Sequence, residues 1–283
     1  MNITPNSFSD GGKFKKPGHS LNQFSQFLKD FDMVDVGAES TAPFNAPIDA
    51  QTELSRLEAF FYPLFEMVPD PQGVISLDTY RPEVFYEAAM WIRKAWPKTR
   101  LIFNDVSGKV DDDLLELFKE DLSFDYVLSH NLCPERDLCS DHMQYCHALE
   151  GEEFARSLWS FFNQRLESLA QASTRKVIID PCFGFSKTRS QNHWLLANFE
   201  RFLEGLPQDC PVLAGLSRKS FLRFPKKMDP KKLDNQVHLD CMQGILAFYL
   251  LKAPANPQRT LIFRTHSIKP FVSLNDALKI LRD

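Results

Sequence analysis

The chain has 283 residues, of which 33 are Lys or Arg and 37 are Asp or Glu, for a formal charge of −4. That length supplies a core for one large α/β domain or two small ones, and the slightly acidic balance excludes the surplus of cations that nonspecific nucleic-acid binding needs. No apolar run reaches the ~18–20 residues of a membrane span, the polar segment 1–12 does not read as a signal peptide, and six cysteines are too sparse for a disulfide scaffold, so a reduced, cytoplasmic protein is expected.

Leu21, Phe24, Phe27, Leu28 and Phe31 recur at three- and four-residue spacing and predict a helix with Ser20 as its N-cap. Short apolar runs follow at 33–37, 74–78, 101–104, 126–130, 177–180, 212–215 and 261–264. Their successive apolar positions suit parallel strands buried on both faces. Between the runs, Pro82 can occupy the first position of a helix over 82–95. Segments 150–172 and 235–252 read as amphipathic helices, and 190–205 as a helix ending at a C-cap glycine. Strand alternating with helix predicts a mostly parallel α/β fold.

The polar residues near the ends of these runs are Asp35, Asp78, Asn104, His130, Asp180 and Arg264. A doubly wound sheet would concentrate such residues near one switch point. Polar groups after nearly every strand instead predict a (β/α)8 barrel, one domain over 1–283, with its chemistry at the C-terminal strand ends. Seven runs leave the first strand of that barrel to precede Asn2, where only Met1 stands. Strands 33–37 and 261–264 are therefore expected to flank a poorly filled gap, with residues 1–18 mobile.

Six phrases stand at these strand ends: Asn2 to Gly12, Asp35 to Thr41, Asn104 to Ser107, Asp180 to Phe185, Gly215 to Ser220, and Arg264-Thr-His266. In content and order they resemble the signatures of the dihydropteroate synthase family, and the resemblance runs from residue 2 to about residue 270. It implies condensation of 6-hydroxymethyl-7,8-dihydropterin pyrophosphate with p-aminobenzoate to give dihydropteroate and pyrophosphate. A pterin edge presents donors and acceptors that call for converging carboxylates and an amide, and the resemblance assigns Asp78, Asn104 and Asp180 to it. The bland alternative is that these residues only end strands and cap the following helices.

The resemblance also gives Lys219 a hydrogen bond to the pterin ring and Ser220 the p-aminobenzoate carboxylate, at a helix start that favours anions. A solvated basic turn is the alternative there. It places Phe8, Pro43 and Phe185 along the aminobenzoate slot and turns Asp10 toward a pterin carbocation. Asn2, Thr41, Arg264 and His266 would meet the pyrophosphate, with Mg²⁺ held through pyrophosphate and Asn2. Arg264 and His266 stand two apart, so an extended backbone puts both on one side, and an Arg fork with a His donor suits a departing anion. Segments 4–18 and 41–47 would be loops over the site, and a homodimer through the last helices is implied.

Four positions depart from the family pattern: Asn6 replaces Asp, Ala42 replaces an anion-binding Arg, Cys182 replaces Gly and Ser267 replaces Asp. The alternatives are a pterin-binding methyltransferase, which has no leaving pyrophosphate, and a non-catalytic pterin-binding paralogue. His130, Cys133, Cys139, His142, Cys146 and His147 invite a zinc reading, but the spacing lacks a close Cys pair. Lys187-Thr188 resembles the end of a phosphate-binding loop, yet Ser186 fills a required Gly position.

Overall fold

The computed structural model describes residues 1–3, 17–39, 46–69, 71, 73–217, 219–222 and 259–266. Its strands are β1 (Met33–Val36), β2 (Val74–Asp78), β3 (Arg100–Asp105), β4 (Asp125–Ser129), β5 (Val177–Asp180), β6 (Val212–Ala214) and β7 (Leu261–Phe263). All six neighbouring pairs are parallel and the strand order follows the chain. A doubly wound sheet reverses its order at a switch point. This one never does, and it curls into an incomplete (β/α)8 barrel.

The alternation of side chains along the strands separates two cores. Residues such as Ile75, Leu77, Phe103, Tyr126, Leu128 and Ile179 face outward and join the large core shared with the helices. Their neighbours Met33, Val74, Ile102, Val127, Ile178, Leu213 and Ile262 form a separate apolar layer. Two residues further along each strand, the same inward face carries Asp35, Ser76, Asn104, Ser129, Asp180, Gly215 and Arg264. The barrel interior is thus an apolar floor under a polar layer.

The helices are α1 (Pro17–Asp30), α2 (Ala50–Met67), α3 (Pro82–Ala95), α4 (Asp112–Leu117), α5 (Gly151–Ala172), α6 (Arg189–Ala197) and α7 (Phe199–Glu204). Helix α3 has the expected bounds, and α5 starts at Gly151 with Glu150 as its N-cap. Ser20 is not an N-cap: α1 starts at Pro17, which needs no N–H partner in a first turn, and Ser20 is buried inside the helix. The single helix expected over 190–205 is two, because Asn198 leaves helical geometry (φ −122°, ψ 35°) and its side-chain Nδ2 donates to the Trp194 carbonyl at 2.8 Å. Gly205 does follow α7, and a Cβ there would lie 2.1 Å from the Trp159 indole nitrogen. Helix 235–252 lies outside the described residues. No described helix is long and apolar enough to cross a membrane.

At the chain start, Asn2 bridges Gly37 in parallel fashion. The Ile3 amide donates to the Gly37 carbonyl at 2.8 Å, and the Gly37 amide to the Met1 carbonyl at 3.0 Å. Ile3 is buried in the main core. The expectation that residues 1–18 are mobile is therefore corrected for 1–3, which pair along β1, and for 17–18, which begin α1. Backbone pairing and burial of Ile3 supply the anchor that the sequence reading assigned to a missing strand.

Candidate active site

Strand pairing builds the polar layer. Asp78 lies in register with Asn104, Asp35 with Ser76, and Ser129 with Asp180. Asp35 is the hub. Its Oδ1 accepts from Ser76 Oγ at 2.6 Å and from Asn104 Nδ2 at 3.1 Å. Arg264 Nη2 lies 2.7 Å from Asp35 Oδ2 and 2.6 Å from Asp78 Oδ2, so one guanidinium joins both edges of the open sheet.

Two carboxylates sharing one cation titrate apart. Burial pushes both upward, but Arg264 and two side-chain hydrogen bonds hold Asp35 below the usual range. Asp78 is raised, by burial and then by the nearby Asp35 charge against the pull of Arg264. Burial also raises Asp180, although its Oδ1 accepts the Cys182 amide at 2.6 Å and Lys219 draws it down. Lys219 is lowered by burial, with Arg264 adding to the shift.

The loop after β5 adds an aromatic wall. Gly184 has φ +85°, and a Cβ there would press 3.4 Å from Lys219 Cδ, so glycine serves both the backbone and the lysine. The Lys219 ammonium sits 4.9 Å from the centroid of Phe185, within cation–π range. His142 stacks on the same phenyl ring at 4.0 Å. Burial and the two neighbouring lysines push the His142 imidazole down to about 4. Cys182, where the family pattern has glycine, occupies φ 54°.

The structure therefore brings together Asp78, Asn104, Asp180, Lys219, Phe185 and Arg264. Ser220 begins a short 3-10 turn, Ser220–Leu222, and is exposed. His266 contacts Ser217 Oγ through Nδ1 at 2.8 Å, whereas Arg264 reaches to β1 and β2. Asn2 is exposed beside Gly37. Phe8, Asp10, Thr41 and Pro43, with Asn6, Ala42 and Ser267, lie outside the described residues. Asp35, Ser76 and Ser129 escaped the sequence assignment, and the signal was their place two residues beyond the apolar floor. Asn104 Oδ1 and Ser129 Oγ are buried without a hydrogen-bond partner among the described residues, which leaves polar capacity in the layer for a ligand.

The six residues of the zinc reading do not converge. His130 Nδ1 meets Lys187 Nζ at 2.8 Å, Cys133 Sγ contacts the Leu138 carbonyl, Cys139 packs with Tyr80 and Val106, and His142 covers Phe185. Among the described residues no group of three His, Cys, Asp or Glu side chains could hold a metal.

Comparison with known proteins agrees with this geometry. A mitochondrial folate synthesis bifunctional protein of Pisum sativum is 32% identical over 78% of this chain, which spans only 42% of the pea protein's length. The dihydropteroate synthase of Bacillus subtilis is 31% identical, over 82% of this chain and 73% of its own. The solved Xanthomonas albilineans dihydropteroate synthase with 4-aminobenzoic acid superposes with a TM-score of 0.70 at 26% identity, covering 99% of this chain and 90% of that one. The pattern of the pterin binding enzymes matches residues 1–253, and the chain belongs to that family.

Proposed function

We propose that this chain is a dihydropteroate synthase, joining 6-hydroxymethyl-7,8-dihydropterin pyrophosphate to p-aminobenzoate with release of pyrophosphate. The observation that carries the reading is the convergence of Asp35, Asp78, Asn104, Asp180, Lys219 and Arg264 on one polar layer at the C-terminal strand ends. A pterin needs acceptors for its amino and ring N–H groups and a donor for its carbonyl. Asp180 and the free Asn104 Oδ1 supply acceptors, and the Lys219 ammonium a donor. The Phe185 ring gives the aryl substrate a flat apolar wall beside Lys219.

In this reaction the methylene–oxygen bond breaks as pyrophosphate departs, and the aryl amine then forms the carbon–nitrogen bond and sheds a proton. The protein must stabilise growing negative charge on the leaving group and keep water from a reactive pterin cation. Arg264 and His266 take the first role in this reading, and Asn2 and Thr41 complete the anion site. By the family resemblance Asp10 would serve the cation and Phe8 and Pro43 the aminobenzoate slot, all three outside the described residues, and Ser220 would meet the aryl carboxylate. The donor set fits Mg²⁺, which takes few protein ligands and keeps waters and phosphate oxygens. Asn2 would hold it, and when bound it would supply positive charge to offset the negative charge of the leaving group. A homodimer belongs to the same proposal, and sedimentation velocity tests it.

The decisive assay is pyrophosphate release from the pterin pyrophosphate with and without p-aminobenzoate. Release that requires the aryl amine supports the reading. Pterin binding without such release overturns it in favour of a non-catalytic pterin binder.

A further inference from the structure

A second cavity lies outside the barrel interior, between α5 and the loops that follow β4 and β5. It measures about 250 Å³ and is lined by Arg165, His130, His147, Ser160, Gln164 and Phe161, among other residues, with no carboxylate in the lining. Arg165 is half-buried and stacks over Phe161, with its guanidinium carbon 3.6 Å from the ring centroid. Its Nε donates to the Gly108 carbonyl at 2.9 Å and its Nη1 to the Phe161 carbonyl at 3.3 Å. Among the described residues no hydrogen bond uses its Nη2 and no carboxylate pairs with it.

The lining carries the Arg165 cation and no carboxylate. Lys187 contacts His130 at the cavity wall, and Lys109 is close enough to Arg165 for each charge to disfavour the other. None of Lys109, Arg165 and Lys187 has an ion-pair partner among the described residues. Lys109 and Arg165 are partly buried cations that repel each other, and with no anion paired to either among the described residues they carry an uncompensated cost. The serine and glutamine side chains on α5 add neutral donors next to the guanidinium.

We propose that this cavity binds a small oxyanion of the phosphate type, with the Arg165 guanidinium as its charged anchor and Ser160 and Gln164 as neutral donors. A planar guanidinium with an open edge suits phosphate oxygens geometrically. The site is separate from the polar layer that carries Asp35 and Arg264, and the inference does not rest on the proposed synthase activity. Lys187, which contacts the lining residue His130 at 2.8 Å, also donates to the Phe185 carbonyl at 3.1 Å, so an anion here would act on the charge environment of the loop that presents Phe185.

The test is calorimetric titration with three probes, namely inorganic phosphate, inorganic pyrophosphate and glycerol phosphate, with chloride at equal ionic strength as control. It is done on Arg264→Ala, which removes the anion contact proposed for the barrel site, and on Arg264→Ala combined with Gln164→Glu or Arg165→Met. Gln164 is exposed, so its replacement leaves packing undisturbed while placing a carboxylate in the cavity. Saturable binding that weakens at least tenfold in both combined variants supports the site. Preference for the inorganic ions over glycerol phosphate identifies a free anion, and the reverse identifies a phosphate ester. Amide shifts in α5 on adding inorganic phosphate to the unaltered chain, lost in Gln164→Glu, provide a readout that does not depend on Arg264. Binding absent from both measurements, or indifferent to Gln164→Glu and Arg165→Met, overturns the proposal.

Discussion

At the residue scale, Asp35 is the hub of the polar layer. Its carboxylate engages Ser76, Asn104 and Arg264 together. Asp35→Asn removes the charge that fixes Arg264 and should lower kcat/KM at least tenfold, with the fold unchanged by circular dichroism. Steady-state kinetics with both substrates checks this. Asn104→Ala and Asp180→Ala should each weaken binding of the pterin pyrophosphate by about 1–3 kcal/mol, the usual cost of losing a buried polar partner. Fluorescence titration decides it, and parental affinity in either variant removes that residue from the pocket. Arg264→Ala and His266→Ala should depress kcat more than they weaken pterin binding, since the charge they meet grows as the leaving bond breaks.

At the scale of elements, α2 is tied to its surroundings by a buried ion network that the sequence did not disclose. Arg81, one residue before α3, places Nη1 2.6 Å from Glu39 Oε2 and 2.6 Å from Glu53 Oε2, while Nη2 donates to the Ile48 carbonyl at 2.5 Å. It thereby grips both Glu39, three residues beyond the end of β1, and the first turn of α2. Burial pushes the Glu53 carboxyl up to about 7, against the pull of Thr79 and Arg81. A carboxyl raised above its unfolded value stabilises the fold most when protonated. That contribution is complete at pH below about 4.5 and is lost as pH rises through about 7. Glu53→Gln, which stays neutral, should therefore gain stability relative to the parent at pH 8 and change little at pH 5. Urea denaturation at the two pH values measures it. A stability difference that is independent of pH would show that Glu53 titrates as an ordinary carboxyl.

At the scale of the whole molecule, the proposed function assigns stability to the apolar floor and binding to the polar layer above it. Ile178 lies in the apolar floor and is almost fully buried, so Ile178→Ala should cost about 2–5 kcal/mol of unfolding free energy, as transfer and cavity effects predict. Ser129 stands two residues after Val127 on the same inward face, and its buried hydroxyl has no hydrogen-bond partner among the described residues. Ser129→Ala should leave stability within about 1 kcal/mol of the parent, because no intramolecular hydrogen bond is lost, while weakening pterin binding. Chemical denaturation beside ligand titration separates the two effects, and a large loss of stability in Ser129→Ala would refute the division.

The sequence by itself determined the parallel strand–helix alternation, the bounds of α3 and the position of the polar residues at the strand ends. These are local properties: an apolar run of four or five residues and a proline at a helix start act on their own neighbourhoods. The split at Asn198 was not legible, because its side-chain Nδ2 finds the Trp194 carbonyl only once the helix has formed. Nor was α1's start at Pro17, since a serine three residues later offered an equally good local cap. Asp35 looked like one strand-end carboxylate among several, and only the inward pleat and the closing Arg264, 229 residues away in sequence, made it the hub. The tertiary structure decided that, as it decided the fates of His130, Cys139 and His142, because which groups meet in the barrel depends on strand order and register, and no local pattern specifies them.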